Sequence, residues 1–137
     1  MRKSQLYING KLISAKKTYI RENPATMEPL QEVSLASKKD IDNACSSALT
    51  AFAVWSKTPP VVRGQMMFKI ANLIREKINF LSLINTQETG KPINESTLVE
   101  LGGVIRTFEY YAGLATKIKG NSQVINHELL SITLKEP

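Results

Sequence analysis

Cysteine and histidine are almost absent from this chain of 137 residues, which has one of each, Cys45 and His127. A single cysteine cannot form a disulfide within the chain, so the sequence favours a reducing compartment. A single imidazole excludes a metal centre built on several histidines, and we predict no metal site.

Long apolar runs and glycine-rich phosphate loops are also missing. No apolar stretch approaches the length of a membrane span, and the first residues lead into a strand-like segment without a signal-peptide core. We therefore predict a cytoplasmic protein with no membrane partner. Neither G-x-G-x-x-G nor G-x-x-x-x-G-K-[ST] occurs, so we predict no cofactor-binding residue within the chain.

The charge is +6, from 18 Lys and Arg against 12 Asp and Glu. These cations are scattered, and the densest pairs, Lys16-Lys17 and Lys38-Lys39, fit solvated turns or a helix start. Nucleic-acid binding would require a basic stripe or patch, preferably interleaved with aromatic residues. The charge pattern therefore does not favour nucleic acid as a partner.

Two β-hairpins are predicted at the amino-terminal end. Asn9-Gly10 separates the apolar runs 6–8 and 11–13, and Asn-Gly favours a tight hairpin turn because both positions need positive φ. The Asn-Pro turn at 23–26 separates a second pair of strand-like segments, 18–20 and 29–33.

Three helical stretches with apolar stripes follow. Ser37 and Asp40 form a capping box at the first, Thr58 is the expected N-cap of the second, and Gly90 is its expected C-cap. The third begins at Pro92 or later, contains the weakening pair Gly102-Gly103, and is expected to end at residues 120–121. The stripes are Ile41–Trp55, Met67–Leu81 and Leu101–Ala115, and a strand at Leu129–Leu134 closes the chain.

Most candidate chemical groups have a simpler structural explanation. Cys45 lies on an apolar helical stripe, so we expect a buried structural cysteine. His127 is expected at the surface, and of Tyr110 and Tyr111 one ring should face the core. Lys91 beside a helix start suggests an anion site, but a helix cap followed by proline is the favoured interpretation.

The order of several short motifs resembles the start of the aldehyde dehydrogenase superfamily. The resemblance extends from about Leu6 to Pro137, and its most specific parts are residues 88–92 and 110–113. In chain order, the motifs are Tyr7-Ile8-Asn9-Gly10-Lys11, Asn23-Pro24-Ala25-Thr26, Ala51-Phe52 with Trp55, Pro59-Pro60 with Arg63, Glu88-Thr89-Gly90-Lys91-Pro92, Tyr110-Tyr111-Ala112-Gly113, Lys119-Gly120 and Glu136-Pro137.

The resemblance implies an α/β family fold with a Rossmann-type cofactor domain. This segment would be mainly α-helical, with two amino-terminal β-hairpins and a carboxy-terminal strand. Residues 1–123 would form the first part of the cofactor-binding domain, and residues 124–137 would begin the oligomerisation strand region of a homo-oligomer. The family oxidises an aldehyde to a carboxylic acid with NAD or NADP. Its catalytic and nucleotide-binding groups would lie beyond Pro137, so no catalytic residue is assigned here.

Two positions resemble family chemistry without matching it. The residues of the family's general-base motif occur at Glu100-Leu101-Gly102-Gly103, but Val104 follows where the motif has lysine. The segment also precedes Tyr110-Tyr111, whereas in the family the general base lies far downstream of that position. Cys45 is preceded by Asn43-Ala44 rather than by the nucleophile motif. The resemblance instead implies that Glu100 and Gly103 border the mouth of the substrate tunnel.

Two functional hypotheses remain open at this point. In the first, the chain is one piece of a larger enzyme and is inactive alone, with helices shaped to cover a sheet that later residues supply. In the second, it is a small helical interaction module that binds full-length aldehyde dehydrogenase subunits as a regulator.

Overall fold

A computed structural model describes residues 2–136 of the chain. Its strands are β1 (Arg2–Ser4), β2 (Leu6–Ile8), β3 (Lys11–Ile13), β4 (Lys17–Glu22), β5 (Pro29–Leu35), β6 (Asn121–Asn126) and β7 (Leu129–Thr133). Its helices are α1 (Lys38–Trp55), α2 (Pro60–Glu76), α3 (Ile78–Thr89), a π-helix (Glu95–Leu101) and α4 (Gly102–Leu114).

Both predicted amino-terminal hairpins are confirmed. β2 and β3 pair antiparallel as a sheet of their own, and Asn9 and Gly10 in the turn have φ of 51° and 74°. β4 and β5 pair antiparallel across the Asn-Pro turn, where the Asn23 side chain accepts a hydrogen bond from the Ala25 amide. β1 adds to β5 in parallel, which gives the order β1-β5-β4.

The predicted capping box at the start of α1 is also confirmed. The Asp40 amide donates to the Ser37 hydroxyl, and the Asp40 carboxylate accepts from the Ser37 amide at 2.8 Å. These bonds satisfy backbone donors that the first helical turn leaves without intrahelical partners.

The second helical stretch divides in two at Lys77. The predicted N-cap was wrong: Pro59 is the N-cap residue, Pro60 takes the first helical position, and the Thr58 hydroxyl donates back to the carbonyl of Val54. Gly90, with φ of 77°, ends α3 in the left-handed conformation, as predicted.

A π-helix precedes α4 in the third helical stretch, and the doubled glycine begins α4. A π-helix holds an extra residue relative to an α-helix, so it changes the direction in which the following side chains point. The predicted end at residues 120–121 was wrong, because α4 ends at Leu114 and a turn follows.

The main helix packing in the described residues joins α2 to α4. Its buried apolar residues are few and mostly small: Ala71, Ile105 and Ala112. α1 buries no residue at all. Large apolar side chains from all of the helical stretches stay exposed, among them Phe52, Trp55, Leu73, Phe80, Leu98 and Tyr110. The three stripes therefore do not close into a shared core.

The carboxy-terminal strand prediction was incomplete. The expected strand at 129–134 is present as β7, but β6, which pairs with it antiparallel, was not predicted. Every residue of this hairpin is exposed.

Side chains of the three-stranded sheet bind the carboxyl end of α3. The Arg21 guanidinium donates to the Glu88 carbonyl at 2.5 Å, and the Gln31 amide donates to the Glu88 carboxylate at 2.5 Å. Arg2 donates to the side chain of Gln87. An arginine at the last carbonyls stabilises a helix end. These contacts fix the residues that lead from α3 to Lys91.

Candidate functional site

The two predicted entrance residues lie on either side of the junction between the π-helix and α4. Glu100 is in the last turn of the π-helix and Gly103 in the first turn of α4. The Glu100 carboxylate binds the Lys91 ammonium at 2.5 Å, and both side chains are partly exposed. This ion pair bridges the segment that connects α3 to the π-helix.

The ion pair changes the titration of its lysine. The hydrogen bond that Lys91 donates to Glu100 raises the pKa of Lys91 above its ordinary value of 10.5, and the negative charges of Glu100 and Glu95 act in the same direction. Partial desolvation opposes the shift but is smaller than the hydrogen-bond effect. Lys91 therefore stays charged at neutral pH and balances the charge of Glu100.

The doubled glycine leaves a surface without side chains beside this ion pair. A Cβ placed on Gly102 would lie 3.3 Å from a guanidinium nitrogen of Arg106, and one placed on Gly103 would lie 4.0 Å from the other terminal nitrogen. Helical side chains lean toward the amino terminus, which explains why Arg106 covers the preceding turn. The site thus combines a backbone surface that lies under the Arg106 guanidinium with one carboxylate and two cations.

A buried polar contact holds the π-helix against α3. Ser96 is fully buried, and its hydroxyl accepts hydrogen bonds from the Thr86 hydroxyl at 2.9 Å and the Asn85 amide at 3.2 Å. Ser82, one turn earlier on α3, is also fully buried, and its hydroxyl has no partner in the described residues. The contact fixes the rotation of the π-helix, and with it the direction of Glu100.

The other candidate residues lie elsewhere, and two of the predictions for them were wrong. Cys45 is exposed, because α1 packs only lightly against β2 and no residue of the helix becomes buried. Neither tyrosine faces the core: both are exposed and pack edge to face with ring centroids 5.3 Å apart. His127 is exposed, as predicted, in the turn between β6 and β7.

The described residues do not by themselves fit a dinucleotide or a metal. The amino terminus of α1 is occupied by its own capping box, so its backbone amides are not free to bind a phosphate. Within residues 2–136, no three His, Cys, Asp or Glu side chains come together in a metal-binding group. In the same part of the chain, no helix combines the length and apolar character that crossing a membrane requires.

Sequence reasoning missed Arg106 and Ser96, and it considered Lys91 only as part of an anion site, without its pairing to Glu100. The pairing of Lys91 with Glu100 joins residues nine apart across a turn, and no helical spacing predicts it. Arg106 could have been found, because it lies one turn after the glycines on a predicted helix. Ser96 carried no signal, since a serine in a helical stretch is ordinarily solvated.

The aldehyde dehydrogenase family model matches residues 12–137. The chain belongs to this family. The match contains the Lys91–Glu100 pair and the doubled glycine, together with all of the helices. It confirms the resemblance that the motif order suggested and the α/β family fold that the resemblance implied.

Known proteins similar to the chain are several times longer. Retinaldehyde dehydrogenase 3 of Rattus norvegicus is 36% identical over 118 residues, which cover 84% of this chain and 23% of the relative. The Mus musculus protein of the same name is 32% identical over 98% of this chain and 27% of its own length. The chain thus spans about a quarter of the length of these relatives.

A solved structure shows the same relationship. The NAD+ complex of an aldehyde dehydrogenase from Bacillus cereus is 31% identical, with a TM-score of 0.92 over 96% of this chain and 28% of that chain. Such agreement over nearly all of the residues means that the helices and hairpins keep the family arrangement, although most of that structure has no counterpart here.

Proposed function

We propose that this chain forms the amino-terminal portion of an NAD(P)-dependent aldehyde dehydrogenase, an oxidoreductase that converts an aldehyde to a carboxylic acid. The observation that carries the proposal is the uncovered apolar surface of its helices within a family fold. Trp55 and Phe80 are 44% and 59% exposed, and α1 buries nothing. Apolar surface of this extent marks a contact with further protein.

The proposal divides the chain into two parts. Residues 1–123 belong to the cofactor-binding domain, and residues 124–137 begin the oligomerisation strand region of a homo-oligomer. The wholly exposed β6–β7 hairpin supports the second assignment, since its strand edges are open to further pairing. The proposed boundary falls inside β6.

Glu100 and Gly103 are proposed to border the substrate entrance. Gly103 presents no side chain, and beyond its chain neighbours and its own helix backbone the nearest atom to the position of its missing Cβ is an Arg106 guanidinium nitrogen at 4.0 Å. A bulky residue there would narrow the opening, whereas Val104 is exposed and provides a matched position beside it. In a reconstituted enzyme, Gly103→Met should lower kcat/KM for large aldehydes more than for small ones, and Val104→Met should not.

The chain alone is proposed to be inactive, because the described residues offer no dinucleotide site. The test is to produce it with and without the part of rat retinaldehyde dehydrogenase 3 that lies outside the matched 118 residues. NADH or NADPH formation from an aldehyde is then measured in both samples. Activity is expected only in the mixture, and activity of the chain by itself would overturn this assignment.

A second candidate function is regulation through binding to intact aldehyde dehydrogenase subunits. The open edges of the β6–β7 hairpin favour it, because an exposed strand can add to a partner's sheet. Co-purification of the chain with an intact family member, lost on replacing Ile132 with proline, would support this role. Both proposals place the protein in the cytoplasm, in keeping with its single cysteine, and neither involves nucleic acid or a membrane.

A further inference from the structure

Asn9 differs from the other eight asparagines of the chain because a glycine follows it. Asn23 precedes proline, which has no backbone N–H, and Asn43, Asn72, Asn79, Asn85 and Asn94 lie in helical segments. In a helix, the next backbone amide is held in the hydrogen-bond ladder. Asn121 and Asn126 lie in β6, and the Asn126 side chain already accepts a hydrogen bond from the Glu128 amide at 2.9 Å.

The surroundings of Asn9 leave its side chain and the next amide accessible. Asn9 and Gly10 are both exposed in the turn between β2 and β3. Apart from Gly10 and its two chain neighbours, no heavy atom of the described residues lies within 4 Å of the position that a Cβ on Gly10 would occupy. No group outside the turn therefore crowds the Asn9–Gly10 bond.

The hairpin that carries Asn9 is short, and neither of its strands pairs with a third strand. β2 and β3 have three residues each and pair only with one another, and all of β3 is exposed. An isolated two-stranded hairpin is marginally stable in water, so this turn opens more readily than the β4–β5 turn, whose strands continue into a three-stranded sheet. Opening lets the Asn9 backbone leave its left-handed conformation and reach the geometry of ring closure.

We propose that Asn9 is a site of spontaneous covalent modification, converting through a succinimide to aspartate and isoaspartate. The Gly10 nitrogen forms a bond to the Asn9 side-chain carbonyl carbon, the bond from that carbon to the side-chain nitrogen breaks, and ammonia leaves with the proton from Gly10. Water then opens the ring at either carbonyl. Nothing is oxidised or reduced, and water is the only co-reactant.

The modification acts on the packing of the hairpin. Isoaspartate runs the main chain through the former side chain and adds one backbone atom, so the pairing of Tyr7 with Leu12 and of Ile8 with Lys11 loses its register. β2 lies against α1 and holds Leu6 and Ile8 half-buried. Conversion at Asn9 therefore releases the hairpin from α1.

The test is peptide mapping of the purified full chain during incubation at mildly alkaline pH. Cleavage after Lys3 and Lys11 gives the peptide 4–11. Chromatography separates its asparagine, aspartate and isoaspartate forms, and mass spectrometry identifies them. We expect Asn9 to convert several-fold faster than Asn121 or Asn126 under conditions in which the chain keeps its helical circular dichroism. Equal rates at the three positions would overturn the proposal.

Two further samples separate sequence from structure. In denaturant, Asn9 should convert still faster, because the turn no longer restrains it, and an Asn9 that converts only in denaturant would overturn the role given to hairpin opening. Asn9→Asp should reproduce the charge change without the added backbone atom. In the Asn9→Asp variant, the amide exchange rates at Leu6 and Ile8 should stay close to those of the parent chain. In the isoaspartyl form, they should rise further.

Discussion

A Cβ placed on Gly64 would lie 2.8 Å from the carbonyl oxygen of Ala112. That distance is too short for any side chain, so the α2–α4 contact depends on glycine at this position. Gly64→Ala must push the two helices apart, which we expect to cost about 1–3 kcal/mol, as overpacking of a close contact does. The measurement is amide exchange at Ile105 and Ala112, which should lose protection in the variant.

Gly113 on α4 supplies the control for this substitution. No heavy atom lies within 4 Å of the position of its missing Cβ, and its φ is ordinary. Gly113→Ala should therefore raise the stability of the helix by roughly 0.5–1 kcal/mol, through helix propensity alone. If both alanine variants changed amide exchange in the same direction, the close approach of α2 to α4 would not explain the effect of Gly64→Ala.

The capping box of α1 can be tested by Ser37→Ala. The change removes the hydroxyl that accepts from the Asp40 amide and should destabilise the helix by about 1 kcal/mol, the usual effect of losing an N-cap side chain. Helical circular dichroism should fall, with exchange increasing first at the amino end of α1. Ser46→Ala, an exposed position in the middle of α1, should leave that end unchanged.

Acid should weaken the same cap. Hydrogen bonds from the Ser37 side chain and backbone lower the pKa of Asp40 below its ordinary value of 3.8. A carboxylate whose pKa is lowered in the folded state stabilises that state when the pH is above the ordinary pKa of the group. This stabilisation is lost as the pH falls through the folded-state pKa. A pH titration of α1 helicity below 3.8 should show this loss, and Asp40→Asn should remove the transition.

The ion pair beside the doubled glycine has a spectroscopic signature. Glu100→Gln removes the hydrogen-bonded carboxylate and should bring the pKa of Lys91 back toward 10.5. Glu95→Gln removes only a more distant charge, which makes the smallest contribution to the shift, so the change should be smaller. NMR titration of the lysine side chains measures both, and equal effects would contradict the direct bond.

The sequence predicts local features better than it predicts burial. Asn9-Gly10, Ser37 and Gly90 were correctly interpreted because each sets a backbone conformation or a cap through its own chemistry. The burial of Cys45 and of one of the two tyrosines was predicted wrongly. Periodicity shows which face of a helix is apolar, but it does not show whether anything in the same chain covers that face.

Two elements had no local signal. β6 alternates poorly, and its hairpin turn is His127-Glu128, which is not a preferred turn sequence. Ser96 of the π-helix is buried against α3, a tertiary contact that no spacing in the sequence predicts. In the candidate site, Glu100 and Gly103 came from the family resemblance and remain predictions, whereas the pairing of Lys91 with Glu100 is visible only in the structure.

The central claim is that the apolar faces of these helices are made to contact further protein of the aldehyde dehydrogenase fold. Calorimetry of the purified chain, with its mass determined in solution, tests this claim most directly. We expect a self-associating or loosely packed chain with no cooperative heat-absorption peak. A clean monomer that unfolds in one sharp, reversible transition would contradict the account, because its helices would then form a sufficient core by themselves.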